Sequence, residues 1–553
     1  MTSTRFFILT LVLFTALTAA MTYPQALHLR DGVHDEGDPL LNTWTLAWIA
    51  HQLPFAPAHL FDANIFDPER RTLAYSETLL APGIVAAPLR WLGAGPVLVY
   101  NLVFLSGFIL SGAGVALLVR ALTNQAAAGI LAGIVFAFLP YRIDHYAHLQ
   151  LQQTQCLPFA MWAFHRLMAT GRRRDGVLLG VFTAGQILSC SYYGLFLAPY
   201  MAVVCGTVLI ADRTLPRRRL VALMIAGAIV VVAVVPVATA YLGARQTVGQ
   251  RGPGEIVLGS ATLGNYLGAP SANLLYGRIF ERFGTDERRL FPGLVAVGLA
   301  IVGLVFPFVR ARARSNPLRL AYGLGLLLAF DMSLGFNGFT YRVLYDYLLP
   351  FRALRIPARM AIFTGFSLAV LAGFGVAAIA ERILAVRARR AVLAALATLM
   401  LAEYTSKPID LETLPLGPPQ AYADMMRDKD DNPDATLFEF PISPGDDSIY
   451  MYYSTFHWQR LVNGYSGFFP HSYEAAVDAV REFPDDESMR AIMAHRTRYL
   501  VVHGERLLGR RYELLVPELD KRPELSLVSR TPAERPGQHG EISVYRVSYA
   551  DAR

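Results

Sequence analysis

Runs of apolar residues separated by short polar loops fill the first 404 residues of the chain. A membrane-spanning helix needs about 20 predominantly apolar residues. The candidate spans are 6–23, 97–119, 126–140, 151–169, 176–190, 193–211, 220–241, 292–309, 318–334, 360–381 and 391–404. The apolar segment 78–92 contains Pro82, Pro88 and Arg90, so we expect an interfacial or re-entrant helix there. The pattern predicts an α-helical polytopic membrane protein with about 11 transmembrane helices.

Arginines cluster in alternate loops of this predicted membrane body, and they mark its cytoplasmic side. The clusters comprise Arg5, Arg120, Arg172, Arg173, Arg174, Arg213, Arg217, Arg218, Arg219, Arg310, Arg312, Arg314, Arg319, Arg382, Arg387, Arg389 and Arg390. The N-terminus is then cytoplasmic. The loops that face outward are 24–96, 141–150, 242–291, 335–359 and everything after 405. The agreement between the arginine clusters and alternating spans favours an uncleaved anchor at 6–23 over a signal peptide that ends near Ala20.

The composition changes near residue 405, where a proline-rich linker begins. Strand-like runs follow at 435–442, 498–503 and 542–549, and amphipathic helices are predicted at 473–483 and 487–495. We therefore divide the chain into a transmembrane domain, 1–404, that carries the long first outer loop 24–96, and a small extracytoplasmic α/β or α+β domain, 405–553.

The overall composition excludes several classes of protein. Of the 553 residues, 54% are apolar and 17% are charged, whereas soluble domains usually carry about 25% charged residues. The net charge of +7 comes from arginines in short loops, which does not indicate a nucleic-acid partner. The 3 cysteines lie in or beside apolar runs without metal-ligand spacing, so no disulfide framework is implied.

The first outer loop contains a dense group of acids, Asp35, Glu36 and Asp38, directly after the first span. A carboxylate at the membrane surface can act as a general base, and a pair can hold a divalent cation such as Mg²⁺ or Mn²⁺. The alternative is a solvated loop in which Asp38 and Pro39 are the N-cap and first residue of the next helix. The loop's other acids include Glu77, and ordinary solvation of the outer face accounts for most of them.

Two more groups of residues with chemical potential lie on the predicted outer side. Asp144, His145 and His148 follow one span; Asp144 and His148 are four apart and would share a helical face. We predict that they line a substrate pocket rather than bind a metal, the alternative being an aromatic belt at the interface. Tyr450–Tyr453 with Trp458 could stack on sugars, but core packing within strands is the favoured interpretation.

Arginines also occur on the side where positive charge is disfavoured. Arg352, Arg355 and Arg359 lie in the loop that leads into span 360–381. Arg355 and Arg359 are four apart and would face the same way on a helical turn started by Pro357, where they could clamp a phosphate. Lipid headgroup binding or an ion pair with Asp346 is the alternative.

The order of motifs along the membrane body resembles the GT-C superfamily of membrane glycosyltransferases, in particular bacterial members. The motifs are Asp35-Glu36, Gly37-Asp38-Pro39-Leu40 with Asn42, Leu60-Phe61-Asp62-Ala63-Asn64-Ile65-Phe66, Leu73-Ala74-Tyr75-Ser76-Glu77, Tyr141-Arg142 with Asp144-His145, Leu290-Phe291-Pro292-Gly293, and Leu354-Arg355-Ile356-Pro357-Ala358-Arg359. There is no Trp-Trp-Asp motif as in oligosaccharyltransferases, nor a β-trefoil insertion as in protein mannosyltransferases.

The resemblance implies an inverting transfer from a polyprenyl-phosphate-linked sugar donor to an envelope acceptor on the outer face of a bacterial inner membrane. It implies that Asp38 is the base, with Asp35 and Glu36 as rivals. The candidate substrate-binding residues are Glu77, Asp144, His145, His148, Glu287, Arg355 and Arg359. The sugar, the acceptor and any metal requirement stay open.

Two other functional classes fit a polytopic chain with outward-facing acids. One is a transporter or lipid flippase, and the other is a catalytically inactive GT-C-like scaffold for envelope assembly. Transporters tend to place ionisable residues at mid-membrane. Here span 220–241 has none, and Asp331 lies near an outer end. The crowding of ionisable groups on one face favours surface chemistry over passage.

Overall fold

The computed structural model describes residues 2–285, 287–308, 312–428, 435–507, 511–533 and 540–549; Arg310 and the side chains of Arg312 and Arg314 lie outside this part. In chain order, the helices up to the middle of the sequence are α1 Ser3–Met21, α2 Asp38–Gln52, α3 Leu80–Trp91, α4 Pro96–Thr123, α5 Ala126–Ala137, α6 Pro140–Asp144, α7 Leu149–Gln152, α8 Cys156–Thr170, α9 Arg173–Ser189, α10 Ser191–Asp212, α11 Arg217–Val248 and α12 Pro253–Gly259. The later helices are α13 Gly277–Phe280, α14 Leu294–Val305, α15 Arg312–Ser333, α16 Thr340–Tyr347, α17 Ala361–Arg382, α18 Val386–Tyr404, α19 Gln420–Arg427, α20 Pro444–Ser454, α21 His471–Ala479, α22 Asp486–Ala494 and α23 Arg511–Leu519.

The strands form two sheets. They are β1 Gly32–Val33, β2 Glu412–Thr413, β3 Thr436–Phe440, β4 Arg460–Leu461, β5 Thr497–His503, β6 Leu525–Pro532 and β7 Glu541–Val547. β1 pairs antiparallel with β2, Gly32 opposite Thr413. The five-stranded sheet has the order β4-β3-β5-β7-β6, in which β3 is parallel to β4 and β5, and β7 is antiparallel to β5 and β6. The three predicted strands are β3, β5 and β7.

Each predicted span contains a helix of the structure, and the chain is a multi-pass membrane protein. Among the described residues, 6 helical stretches are long and apolar enough to cross a membrane by length and composition. They are Ser3–Met21, Pro96–Thr123, Ala126–Asp144, Ser191–Asp212, Arg217–Val248 and Pro357–Arg382. The total number of spans stays a prediction. Segment 78–92 is the short helix α3, which leaves Val85 and Trp91 exposed.

The chain forms two compact units. The first contains 1–27, 103–236 and 250–409, and the second contains 28–102, 237–249 and 410–553. The sequence predicts that loop 24–96 belongs with the membrane helices, whereas residues 28–102 lie in the same unit as the C-terminal residues. The reason lies in hydrogen bonds that the loop makes with the five-stranded sheet and the residues beside it.

Small residues allow close helix packing in the first unit. A Cβ added at Gly303 of α14 would lie 2.0 Å from the carbonyl oxygen of Leu371, and one at Gly375 of α17 would lie 2.0 Å from that of Leu299. Helices in a membrane associate through such close contacts because lipid provides no hydrophobic drive between them. α17 is buried over nearly its whole length, and it forms the centre of this unit.

In the second unit, the first outer loop is bonded to the sheet. The backbone N–H of Phe66 donates to Asn463 O at 3.1 Å, and that of Leu461 donates to Asn64 O at 2.9 Å. The Asn64 side chain donates to Gln459 O at 3.0 Å and accepts from Trp44 at 3.1 Å. These buried polar groups are satisfied only when loop and sheet are together, which explains why the two segments form one unit.

Candidate functional site

Asp38 stands at the start of a buried helix. α2 begins at Asp38 with Pro39 next and Gly37 as N-cap, one residue earlier than the predicted cap assignment. A carboxylate in the first turn is stabilised by the unpaired N–H groups of the helix. The hydroxyl of Tyr465 donates to Asp38 Oδ1 at 2.8 Å. Asp38 is thus held at a fixed position by its own helix and by a residue 427 positions later.

The two neighbouring acids have different partners. The Arg506 guanidinium donates to Glu36 Oε2 at 2.8 Å. Burial lowers the pKa of Arg506, but the carboxylate of Glu36 outweighs that effect and raises it. Asp35 Oδ1 accepts the backbone N–H of Gly37 at 2.8 Å, which shapes the turn before α2. Glu36 is ion-paired and Asp35 has a turn-forming role, so Asp38 is the strongest candidate for the base.

A buried carboxylate supports the segment that carries Tyr465. Asp447 accepts from the Tyr473 hydroxyl at 2.6 Å and from the Asn463 amide at 2.8 Å, and the Gly464 N–H lies 3.3 Å from it. Burial raises the pKa of Asp447 to about 7. This network fixes residues 463 and 464 directly before Tyr465, and so it defines the direction from which the hydroxyl reaches Asp38.

A buried charged cluster supports Arg506. His503, the last residue of β5, lies 2.9 Å from Glu439 Oε2 through Nε2 and 2.9 Å from Glu505 Oε1 through Nδ1. Burial lowers the pKa of His503, but the two carboxylates outweigh it and raise the pKa to about 9. The imidazolium links the ends of the parallel strands β3 and β5 and fixes the turn 504–506 that presents the Arg506 guanidinium to Glu36.

Glu77 also belongs to the second unit. It is half-buried and follows Ser76, whose carbonyl accepts the hydroxyl of Tyr241 at 2.8 Å. Burial is the main cause that raises the pKa of the nearby Tyr75 to about 12. The backbone next to Glu77 is therefore fixed by the hydrogen bond from Tyr241 of α11.

The first unit contains a second cluster, centred on Glu287. Its carboxylate accepts Arg359 Nε at 3.0 Å and a second Arg359 N–H, and it lies 2.9 Å from His145 Nε2 and 3.5 Å from His148 Nε2. Burial raises the pKa of Glu287, but Arg359 and His145 outweigh it and hold the pKa well below its usual range. The Arg359 guanidinium also lies over the Tyr192 ring, 4.8 Å from its centre.

Both ring nitrogens of His145 contact oxygen atoms. Nδ1 lies 2.8 Å from the carbonyl oxygen of Tyr141, and Nε2 lies 2.9 Å from the ionised Glu287 carboxylate. Each ring nitrogen therefore contacts an oxygen acceptor, and the ring is fixed between the backbone of α6 and the Glu287 carboxylate.

The predicted helical relation of Asp144 and His148 is wrong. α6 ends at Asp144, and His148 lies beyond a turn, because the polar stretch after Asp144 does not continue the helix. Asp144 instead accepts from Arg289 at 3.0 Å, whereas His145 and His148 share Glu287. The structure therefore divides this predicted group between two acid–base contacts.

The predicted helical turn from Arg355 to Arg359 is also wrong. Arg355 precedes the short helix Pro357–Met360 and is exposed, with its backbone N–H donating to the Tyr192 hydroxyl at 2.9 Å. Arg359 is buried against Glu287. Arg352 contacts Asp346 through the backbone and not through the carboxylate: its guanidinium donates to the Asp346 backbone oxygen at 2.8 Å.

Several residues of these clusters were not found from the sequence: Tyr465, Arg506, Arg289 and Tyr192. Each meets its partner through long-range folding, and a lone Tyr or Arg in a loop gives no periodic signal. Within the described ranges, no three His, Cys, Asp or Glu side chains are grouped to hold a metal ion. Asp38, Glu36 and Glu287 contact hydrogen-bond donors or cationic groups.

Comparison with solved structures identifies the fold. A structure of the arabinofuranosyltransferase AftD from Mycobacteria, a variant form, matches with a TM-score of 0.62 at 15% identity, over 99% of this chain and 42% of that chain. The chain therefore has a GT-C-like fold, as predicted, and spans less than half the length of that structure. No protein-family model and no curated protein matches the sequence.

Two structures of ArnT from Cupriavidus metallidurans are also similar. The apo state gives a TM-score of 0.48 at 14% identity, and the state bound to undecaprenyl phosphate gives 0.47 at 13%; each match covers 97% of this chain and 98% of that chain. These scores are too low to establish a shared fold, so the assignment rests on AftD.

Proposed function

We propose that this protein is a membrane glycosyltransferase that moves a sugar from a polyprenyl-phosphate-linked donor to an envelope acceptor, on the outer face of a bacterial inner membrane. The observation that carries the proposal is the match in fold to a glycosyltransferase over 99% of the chain. Fold alone does not specify a reaction, and the acidic group at the head of α2 supplies the chemistry.

Asp38 is the proposed general base. Its carboxylate would take the proton of the acceptor hydroxyl as that oxygen attacks the anomeric carbon, and the bond from this carbon to the lipid phosphate would break with inversion. The leaving phosphate has a low pKa, so no dedicated general acid is needed, unlike in glycosidases. The Tyr465 hydrogen bond would hold the Asp38 carboxylate in a fixed direction toward the acceptor.

The donor phosphate requires positive charge, and the first unit supplies candidates. The buried Arg359 is ion-paired with Glu287, and the exposed Arg355 lies four residues before it. Guanidinium groups bind phosphate oxygens in two-point fashion and stabilise the charge that develops on the departing phosphate. We assign donor binding to Arg355, with His145, His148 and Asp144 as polar substrate contacts.

The experiment uses the full chain in native membranes supplied with a panel of radiolabelled polyprenyl-phosphate sugars, and it measures release of free polyprenyl phosphate. Asp38→Asn should lower the release by about 10²–10⁴-fold because it removes the base while keeping the shape. Tyr465→Phe should lower it by about 10- to 150-fold, since a hydrogen bond to a charged group contributes about 1.5–3 kcal/mol. A requirement for a divalent cation is checked by adding EDTA.

Asp31→Asn is the matched control, because Asp31 lies in the same loop and is half-exposed beside His28. It should turn over donor at the wild-type rate. Mass spectrometry of the purified protein should also detect co-purifying polyprenyl-phosphate lipid. Wild-type turnover by Asp38→Asn would move the role to Asp35 or Glu36 if one of those variants is inactive. Absence of both donor turnover and bound lipid would contradict the glycosyltransferase proposal.

A further inference from the structure

A cleft lined with arginines lies in the first unit, far along the chain from the acidic loop. It has a volume of about 520 Å³ and is lined by Gly171, Arg173, Arg217, Arg218 and Val221. These residues come from the end of α8 and the beginnings of α9 and α11. The positive-charge rule predicts that this end of the helices faces the cytoplasm.

The cleft is built by close helix packing. A Cβ on Gly176 of α9 would lie 2.2 Å from the carbonyl oxygen of Ala222 in α11, and one on Gly180 would lie 2.9 Å from the Cα of Ala226. Small residues spaced four apart on both helices bring the backbones together. Since Gly176 and Ala222 lie near the beginnings of their helices, the arginines at those beginnings meet at one place.

Gly171 positions one of these arginines. It ends α8 with φ of 63°, a left-handed conformation that favours glycine. The Arg218 side chain crosses directly over it, because a Cβ on Gly171 would lie 2.9 Å from Arg218 Nε. Arg218 is therefore held across the cleft by the shape of the turn.

The arginines of the cleft retain their capacity to bind an anion. The nearby Asp175 is 3.1 Å from Arg166, and Asp212 is 2.9 Å from Arg219. In the part of the chain that the structure describes, no carboxylate forms an ion pair with Arg173, Arg217 or Arg218. Three arginines therefore line the cleft, and among the described residues none of them is ion-paired with a carboxylate.

The surface next to the cleft is apolar. On α9, Val177 and Val181 are 41% and 50% exposed, and on α11, Leu220 and Met224 are 44% and 57% exposed. All four lie within two turns of the arginines. A soluble anion would use the arginines alone, whereas a lipid would place its phosphate among them and its acyl chains along these side chains.

We propose that this cleft binds the phosphate of an anionic phospholipid of the surrounding membrane. Arginine clusters at the cytoplasmic ends of transmembrane helices attract anionic headgroups, and pockets between such helices can select them. The bound lipid would neutralise the three charges and hold α8, α9 and α11 together. This inference is independent of the proposed glycosyl transfer.

The test uses full-length protein in detergent micelles that contain equal small amounts of phosphatidylcholine and phosphatidylglycerol, with native mass spectrometry to measure the bound lipid. The wild type should retain phosphatidylglycerol in preference to phosphatidylcholine. The triple variant Arg173→Gln, Arg217→Gln, Arg218→Gln should bind it about a hundredfold more weakly, since each arginine at the surface contributes about one factor of five. The matched control removes three arginines of a different helix end: Arg387→Gln, Arg389→Gln, Arg390→Gln.

The control should retain phosphatidylglycerol within about threefold of the wild type, because none of its three substituted arginines lines the cleft. Equal losses in both triple variants would overturn the proposal, since net charge alone would then explain binding. Unchanged binding in the Arg173, Arg217 and Arg218 variant would also overturn it, as would equally tight binding of glycerol phosphate without acyl chains. If the triple variant does not fold, Arg218→Gln alone should weaken binding about fivefold, and its failure to do so would refute the site.

Discussion

The buried imidazolium of His503 should make the second unit less stable at alkaline pH, where the ring loses its proton. The pKa of His503 is raised from 6.5 to about 9 in the fold. A group whose pKa is raised on folding contributes stability that is fully present below its unfolded pKa and is lost as pH rises through the folded pKa. The loss should therefore fall between about pH 7 and pH 10.

The magnitude follows from the shift. One pKa unit corresponds to about 1.36 kcal/mol, so protonated His503 contributes about 2.5 kcal/mol at pH 7 and almost nothing at pH 10. The carboxylates of Glu439 and Glu505, which are 0% and 3% exposed, lose their counter-charge at the same time. The free energy of unfolding of this unit should drop by about 2.5 kcal/mol across the interval.

Urea unfolding in detergent micelles, followed by tryptophan fluorescence, measures this drop. Of the 5 tryptophans, all except Trp162 lie in the second unit, so the signal reports mainly on it. His503→Gln should be less stable at pH 7 and should show little further loss up to pH 10. His471→Gln, which alters a histidine that is 95% exposed, should behave like the wild type. An equal pH-dependent loss in His503→Gln and the wild type would refute the reasoning.

Two further predictions concern the first unit and the orientation of the chain. Glu287→Gln should lower the free energy of unfolding by about 3–5 kcal/mol, because Arg359 is 5% exposed and would be left as a buried uncompensated charge. Thermal unfolding in detergent measures this loss. The control Glu255→Gln, which removes a more exposed ion pair, should lower the free energy of unfolding by less than about 1 kcal/mol. His471→Cys should react with a membrane-impermeant maleimide in intact cells, whereas Ser448 is fully buried and unsuitable for labelling; reaction only after permeabilisation would reverse the predicted orientation.

The secondary structure could largely be predicted because hydrophobic runs and alternation are local signals. The edge strand β6 was not predicted, since its partly exposed residues include Ser526, Ser529 and Arg530 and show weak alternation. The aromatic stretch 450–453 was interpreted as strand core and is instead part of α20. The capping sequence Ser443-Pro444 with Asp446, whose N–H bonds to Ser443 Oγ, is a helix-start signal that could have corrected this.

The candidate site could be predicted only in part. Asp38 and Glu287 were selected from loop position and from the resemblance, but the partners that define their chemistry were not. Tyr465 and Arg359 lie far from them in sequence, and periodicity carries no information about such pairs. The helical relation inferred for Asp144 and His148 failed for a related reason: spacing predicts a shared face only where the helix continues.

The pairing of the first outer loop with the C-terminal residues also has a consequence for biosynthesis. Tyr465, the hydrogen-bond partner of Asp38, is synthesised 427 residues later. Synthesis of those residues takes roughly 20–90 s at a translation rate of about 5–20 residues per second. During that interval the C-terminal residues of the second unit, which contact the first outer loop, have not yet been synthesised. We expect the nascent loop to need protection by a chaperone or by the membrane surface, and the second unit to fold fully only when the last strands have been translocated.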